Sequence, residues 1–229
     1  VDLGRGVQTF LNFMPAASLE MLHVGHRDGY GLQTNRDIGV FEDLMSSDSL
    51  WLTGNTDTVY ASAFIDLSDG PMVVEVPAGT GPGTVNDAFF RFVIDMGGPG
   101  PDKGRGGKYL ILGPGQSAPA DADDYYVANT PSLINWVILR GFLDAEGSTE
   151  TAKNAFQNDL KIYPYAQRMN PAPNTFKNLT GLNVNTIHAN DFKFYEELDD
   201  VIQREPSEVF SPELLLSLIH ISEPTRRYE

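Results

Sequence analysis

The chain has 229 residues, with 16 basic and 31 acidic side chains giving a net charge of -15, 22 glycines, 15 prolines and no cysteine. With 41% hydrophobic and 10% aromatic residues it can bury a core that offsets its ordering entropy, which excludes a disordered chain. The acid excess excludes broad nucleic-acid or acidic-membrane binding, which needs clustered Lys and Arg, and the missing cysteine excludes disulfides, thiol catalysis and thiolate metal sites.

Residues 1–48 read as a helical segment. Val7, Phe10, Leu11 and Met14 fall at helical intervals before Pro15, and Leu19, Met21 and Leu22 follow it, predicting a broken or kinked helical pair. Ile38 to Met45 reads as another short helix. From Trp51 the period becomes two: Val59, Ala61, Ala63 and Ile65 alternate with Tyr60, Ser62, Phe64 and Asp66, and Ser68-Asp69-Gly70-Pro71 turns the chain into Met72 to Val76. Phe89 to Ile94, Tyr109 to Leu112, Tyr125 to Ala128 and Leu133 to Leu139 supply further strands. Strands without intervening helices favour an antiparallel β-sandwich domain over 49–146, in an α+β chain. A helical domain spans 147–215: Ala152, Ala155, Phe156 and Leu160 form one stripe. In its strongest helix Phe192, Phe194, Tyr195, Leu198, Val201 and Ile202 face one way and Glu196, Glu197, Asp199 and Asp200 the other, with Asn190 or Asp191 as cap. Ser211-Pro212-Glu213 starts a further helix.

The ends read as those of a fragment. Val1-Asp2-Leu3 carries no initiator Met and no signal pattern. Leu216 to Arg226 matches the in-frame translation of a transposase sequencing adapter, so 216–229 is expected to be an adapter-derived artefact. No apolar run reaches the ~18 residues of a membrane span.

Four places carry candidate chemistry. Between Gly97 and Lys108 lie six glycines with Lys103, Arg105 and Lys108, a loop able to present backbone N–H groups and positive charge to an anion, or simply to join strands. It fits neither the phosphate-loop nor the dinucleotide pattern. Arg91, between aromatic residues, either clamps a substrate anion or pairs with an acid such as Asp87 or Asp95. His188, just before the strongest helix, is placed to act as a neutral base with Asp191 orienting it, or to pack locally. Asn55, Asp57 and Tyr60 present hydrogen-bonding groups where a turn enters a strand, though Asx turns use the same residues. His23 and His26 have a ligating spacing, but two ligands do not make a metal site. The sequence assigns no metal and no cofactor.

Several blocks together resemble the bacterial family called domain of unknown function 1254, usually followed in the same chain by domain of unknown function 1214. They are Arg5-Gly6-Val7-Gln8, Leu52 to Tyr60, Asp69-Gly70-Pro71, Val73 to Pro77, Phe90-Arg91-Phe92, Gly100 to Lys108, Tyr163-Pro164, Asn185 to Asp191 and Tyr195 to Leu198. Gly54 stands where the pattern has proline. The resemblance implies an immunoglobulin-like antiparallel β-sandwich with an associated α-helical domain, a C-terminal jelly-roll domain missing from this chain, and export to the periplasm or medium. It brings no catalytic set. Two functions stay open. One is an extracytoplasmic hydrolase-like enzyme in which Arg91, Lys103 and Lys108 hold a polar or anionic small substrate and His188 with Asp191 moves the proton. The other is a noncatalytic ligand-binding or assembly module. The expected partners are the missing C-terminal domain and a small molecule, with no nucleic acid.

Overall fold

The computed structural model describes residues 3–51 and 54–222. The chain runs through α1 (Leu3–Val24), β1 (Asp37–Val40), β2 (Thr58–Asp66), β3 (Met72–Val76), β4 (Gly83–Asn86), β5 (Phe92–Met96), β6 (Gly107–Leu112), β7 (Tyr125–Asn129), β8 (Ile134–Phe142), α2 (Glu150–Asp159), β9 (Lys161–Pro164), β10 (Thr175–Asn178), α3 (Lys193–Arg204) and α4 (Pro212–Ser222). This is an α+β fold with two mixed sheets. Six strands run in the order β10-β1-β2-β8-β4-β5 and four in the order β7-β6-β3-β9.

The period-two pattern of β2 is a division between two cores rather than between core and solvent. Val59, Ala61, Ala63 and Ile65 join Met72, Val74, Tyr109, Ile111, Val137 and Leu139 in a core shared by both sheets. The alternate residue Phe64 packs with Phe13, Leu19, Phe194 and Leu198 of α1 and α3. Helices α1, α3 and α4 therefore cover the outer face of the six-stranded sheet. Each large side chain so buried contributes about 1.5–3 kcal/mol. Helix α2 lies close on β8: a Cβ on Gly141 would stand 2.4 Å from that of Ala152.

Several elements differ from the sequence expectation. α1 runs unbroken through Pro15, which sits on its exposed side, where water can take the hydrogen bond of the freed carbonyl. Ile38 belongs to strand β1, not to a helix, and β1 pairs in parallel with β10, a strand inside the span 147–215 that reads as helical in the sequence. β6 and β7 also pair in parallel, so the sheets are mixed where antiparallel pairing was expected. Phe89 to Arg91 is a turn, not strand: Phe90 has φ 57°, and Asp87 Oδ1 accepts from Phe89 N at 2.8 Å and Arg91 N at 2.9 Å. A carboxylate that satisfies the turn's own amides outcompetes the aromatic β-propensity there. α4 runs past residue 216, with Leu214, Leu215 and Leu218 packed in part against the α1/α3 core. Residues from 223 onward, and Leu52 and Thr53 of the quoted block, lie outside the described residues.

Candidate functional site: two clefts divided by Trp51 and Trp136

Strand β8 turns Trp136, Ile138 and Arg140 to the same face as Tyr60 of β2, and the register sets Tyr60 opposite Arg140. The face they share holds a cleft of about 350 Å³, walled by Trp51, Tyr60, Thr84, Asn86, Asp95, Trp136 and Arg140 among others. A second cleft of about 210 Å³ is walled by Ser18, Leu22, Trp51, Phe90, Trp136, Thr186, Ile187 and His188. Trp51 and Trp136 belong to both, with ring centroids 6.1 Å apart.

Both indoles are held by hydrogen bonds. Trp51 Nε1 donates to the Tyr30 hydroxyl at 3.0 Å. Trp136 Nε1 donates to Ser62 Oγ at 2.8 Å, and the Ser62 hydroxyl donates to His26 Nε2 at 2.7 Å. His26 Nδ1 in turn donates to the Leu22 carbonyl at 2.8 Å, which fixes the tautomer. Burial lowers the His26 pKa from 6.5 to about 4 despite that carbonyl, so the ring is neutral above acid pH. His23 Nε2 bonds Thr34 at 3.0 Å, so the two histidines of the helix face different partners. No group of three or more His, Asp or Glu able to hold a metal occurs among the described residues.

In the larger cleft the Tyr60 hydroxyl accepts from Asn55 Nδ2. Asn55 Oδ1 closes the turn by accepting from Asp57 N at 2.9 Å and Thr58 N at 3.1 Å. Asn55 thus orients Tyr60 from behind, while Asp57 is exposed and outside both walls. Arg140 stacks its guanidinium over the Tyr60 ring, 5.6 Å from the centroid.

In the smaller cleft His188 Nδ1 donates to the Ala189 carbonyl at 2.9 Å. Nε2 has no protein partner among the described residues. The ring is packed edge-on against Phe10 and Phe194. Asp191 was expected to orient this histidine. Instead its Oδ1 accepts from Lys193 N at 2.9 Å at the start of α3, because an aspartate at a helix start has free amides nearer to hand than a ring. The orienting role passes to the Ala189 carbonyl, and the N–H of the same residue donates to Glu197 Oε2 at 2.9 Å. Glu197 was assigned to the solvated face of α3 and is buried. Its position three residues after Phe194 and one before Leu198 places it in the apolar stripe, a signal the sequence did contain.

The remaining candidates stand outside both walls. Arg91 donates to Asp87 Oδ2 at 2.6 Å and to the Val209 carbonyl at 3.0 Å, tying the β4–β5 turn to the helical layer. Lys108 lies 3.6 Å from Glu75 on the four-stranded sheet. Lys103 is exposed in a loop that supplies its own anion: fully buried Asp102 accepts from Gly106 N at 3.0 Å and from the Tyr109 hydroxyl at 2.5 Å. Gly106, with φ 74°, passes where a Cβ would stand 2.6 Å from the Val76 carbonyl oxygen, which explains that glycine by close packing.

No curated protein matches the sequence. Among solved structures, the VPA0106 protein from Vibrio parahaemolyticus superposes with a TM-score of 0.53 at 15% identity, over 91% of this chain and 54% of that one, which is a likeness of fold. This chain thus spans about half of the Vibrio protein's length. An uncharacterised protein from Burkholderia cenocepacia gives a TM-score of 0.33 at 14% identity over 68% of this chain and 42% of that one. The model of the family described as "Protein of unknown function (DUF1254)" matches residues 36–164, which hold every wall residue of the larger cleft, and the chain belongs to that family.

Proposed function

We propose that the chain carries the binding face of a hydrolase-like enzyme for a small polar or anionic substrate, with His188 as its acid/base group. The observation that carries this is the His188 ring: Nδ1 is committed to a backbone carbonyl, leaving Nε2 as the lone-pair nitrogen at the wall of a cleft. A fixed neutral tautomer with one free nitrogen is what proton abstraction from a water or hydroxyl requires. Ser18 lines the same cleft and offers a second polar group there. Asn55 and Tyr60 serve the adjoining cleft. Asp57, Arg91, Lys103, Lys108 and Asp191 have structural or solvent-facing roles in this reading, which differs there from the sequence expectation.

The test is a panel of p-nitrophenyl esters, phosphates and glycosides assayed with the wild-type chain and His188→Gln. Hydrolysis of at least one substrate, reduced ~10²–10⁴-fold in the variant at unchanged melting temperature, is the expected result. Turnover unaffected by the substitution removes His188 from the chemistry, and no turnover of any substrate removes the hydrolase reading. A noncatalytic ligand-binding module is the second reading, favoured by the fact that the His188 ring has a peptide carbonyl rather than a carboxylate as partner.

The finer architecture belongs to the same proposal: immunoglobulin-like character for the paired sheets, domains at 49–146 and 147–215, a jelly-roll domain in the full-length protein, and export. An adapter origin for 216–229 is checked by sequencing the gene from source DNA. Genomic codons for Leu216 to Arg226 would overturn it.

A further inference from the structure

We infer that the larger cleft is a recognition site for a small flat carboxylate that also carries a hydrogen-bond donor, with Arg140 as the anion-binding group. Arg140 is an exposed cation in a strongly acidic chain, yet among the described residues no carboxylate lies within ion-pair distance of it, whereas Arg27, Arg36, Arg91, Arg168 and Arg204 each have one. An acid is near: Asp95 lines the same cleft. The two do not pair, because the guanidinium lies over the Tyr60 ring.

That cation–π contact holds the guanidinium beside the Tyr60 ring, and its N–H groups can bind a carboxylate through two parallel hydrogen bonds. Asp95 makes no side-chain hydrogen bond among the described residues and is free to accept from an O–H or N–H donor on the ligand. The rings of Trp51, Trp136 and Tyr60 supply flat apolar faces for the body between those two polar ends. The volume, about 350 Å³, is at the lower end of the ~300–1,000 Å³ range of small-molecule sites. Asn86 Nδ2 donates to the Phe90 carbonyl at 3.2 Å and Thr84 Oγ1 to backbone carbonyls, so the charged groups of the wall are Arg140 and Asp95.

This deepens the proposed function by naming the ligand class, but it stands on binding rather than turnover. The probes are 3- and 4-hydroxybenzoate, benzoate, and the uncharged 4-hydroxybenzamide, titrated by ligand-observed NMR into the wild-type chain, Arg140→Gln and Asp95→Asn. The hydroxybenzoates are expected to bind at millimolar or lower concentration and more tightly than benzoate, with the amide weakest. Arg140→Gln should weaken the acids by about tenfold or more and leave the amide unchanged. Asp95→Asn should reduce the advantage of the hydroxyl. Both side chains are on the surface of the cleft, and unchanged melting temperatures check the fold. Equal binding of acid and amide to the wild type, no saturable binding of any acid, or no loss in Arg140→Gln overturns the inference. His188→Gln should leave these affinities within about twofold, so acid binding by a wild-type chain that hydrolyses none of the substrate panel counts against the catalytic reading alone.

Discussion

Trp136 and Ser62 are joined by a 2.8 Å hydrogen bond from the indole N–H to Oγ, and through it the ring that divides the two clefts is anchored to a buried histidine on the first helical segment. The orientation of a cleft wall thus depends on a residue that touches neither cleft. Ser62→Ala removes the acceptor of Trp136 and the donor of His26 together. It is expected to cost about 1–3 kcal/mol in urea unfolding and to change the tryptophan emission of the folded state. Unchanged emission and stability would show that the indole is held by packing alone.

Acidification should act through His26 first. Its folded pKa of about 4 lies below the ordinary 6.5, so the native state favours the neutral ring. That contribution is fully present above pH 6.5, falls as pH drops towards 4, and amounts to ~3 kcal/mol at most. Glu20 extends the loss to lower pH. Burial would raise it, but His23, 3.9 Å away, and Arg204, which donates to Oε2 at 2.7 Å, outweigh that and bring it to about 2. Its contribution is present above 4.5 and fades between 4.5 and 2. Melting temperatures recorded from pH 7.5 to pH 4 should decline, and His26→Gln should flatten the part between 6.5 and 4.

The Gly97–Gly107 loop should depend on its own carboxylate and not on its lysine. Asp102→Ala leaves Gly106 N and the Tyr109 hydroxyl without their buried partner and should cost about 2–4 kcal/mol, read from the denaturant midpoint. Lys103→Ala should stay within about 0.5 kcal/mol. A phosphate-dependent rise in melting temperature that Lys103→Ala abolishes would restore the anion-loop reading.

Glu197 should act on His188 through the Ala189 peptide. Glu197→Ala is expected to destabilise the chain by about 1–3 kcal/mol, whereas Glu197→Gln, which keeps an acceptor oxygen, should lose less than half of that. The ¹⁵N spectrum of the wild-type His188 ring should show Nδ1 protonated and Nε2 bare at pH 8. In Glu197→Ala the two tautomers should mix. A ring spectrum identical in all three proteins would break the link.

Strands β2, β3, β6 and β8 were legible because each is a run of five to nine residues dominated by aliphatic and aromatic side chains and bounded by turn residues, with a period of two in β2. β1 and β10 were not, since four residues each carry too little period and the two pair with each other across more than a hundred residues. Of the site, Tyr60 and His188 could be picked out by residue type. Arg140 could not, because an arginine in an apolar strand looks the same whether it meets an acid or an open cleft. Trp136 and Trp51 carry no site signal in the sequence, and only their approach in the fold makes them a partition. Glu197 was the exception: its place in the i, i+3, i+4 stripe was visible, and its charge argued it away.

The order of the helices along the chain has a consequence for biogenesis. α1 buries Phe13, Ala16, Ala17 and Leu19 against a layer built largely from α3 and α4, which come about 170 residues later. At ~5–20 residues per second a ribosome delivers α3 roughly ten to thirty seconds after α1. For that interval the first helix carries an apolar stripe without its helical partners, a ready target for a holding chaperone.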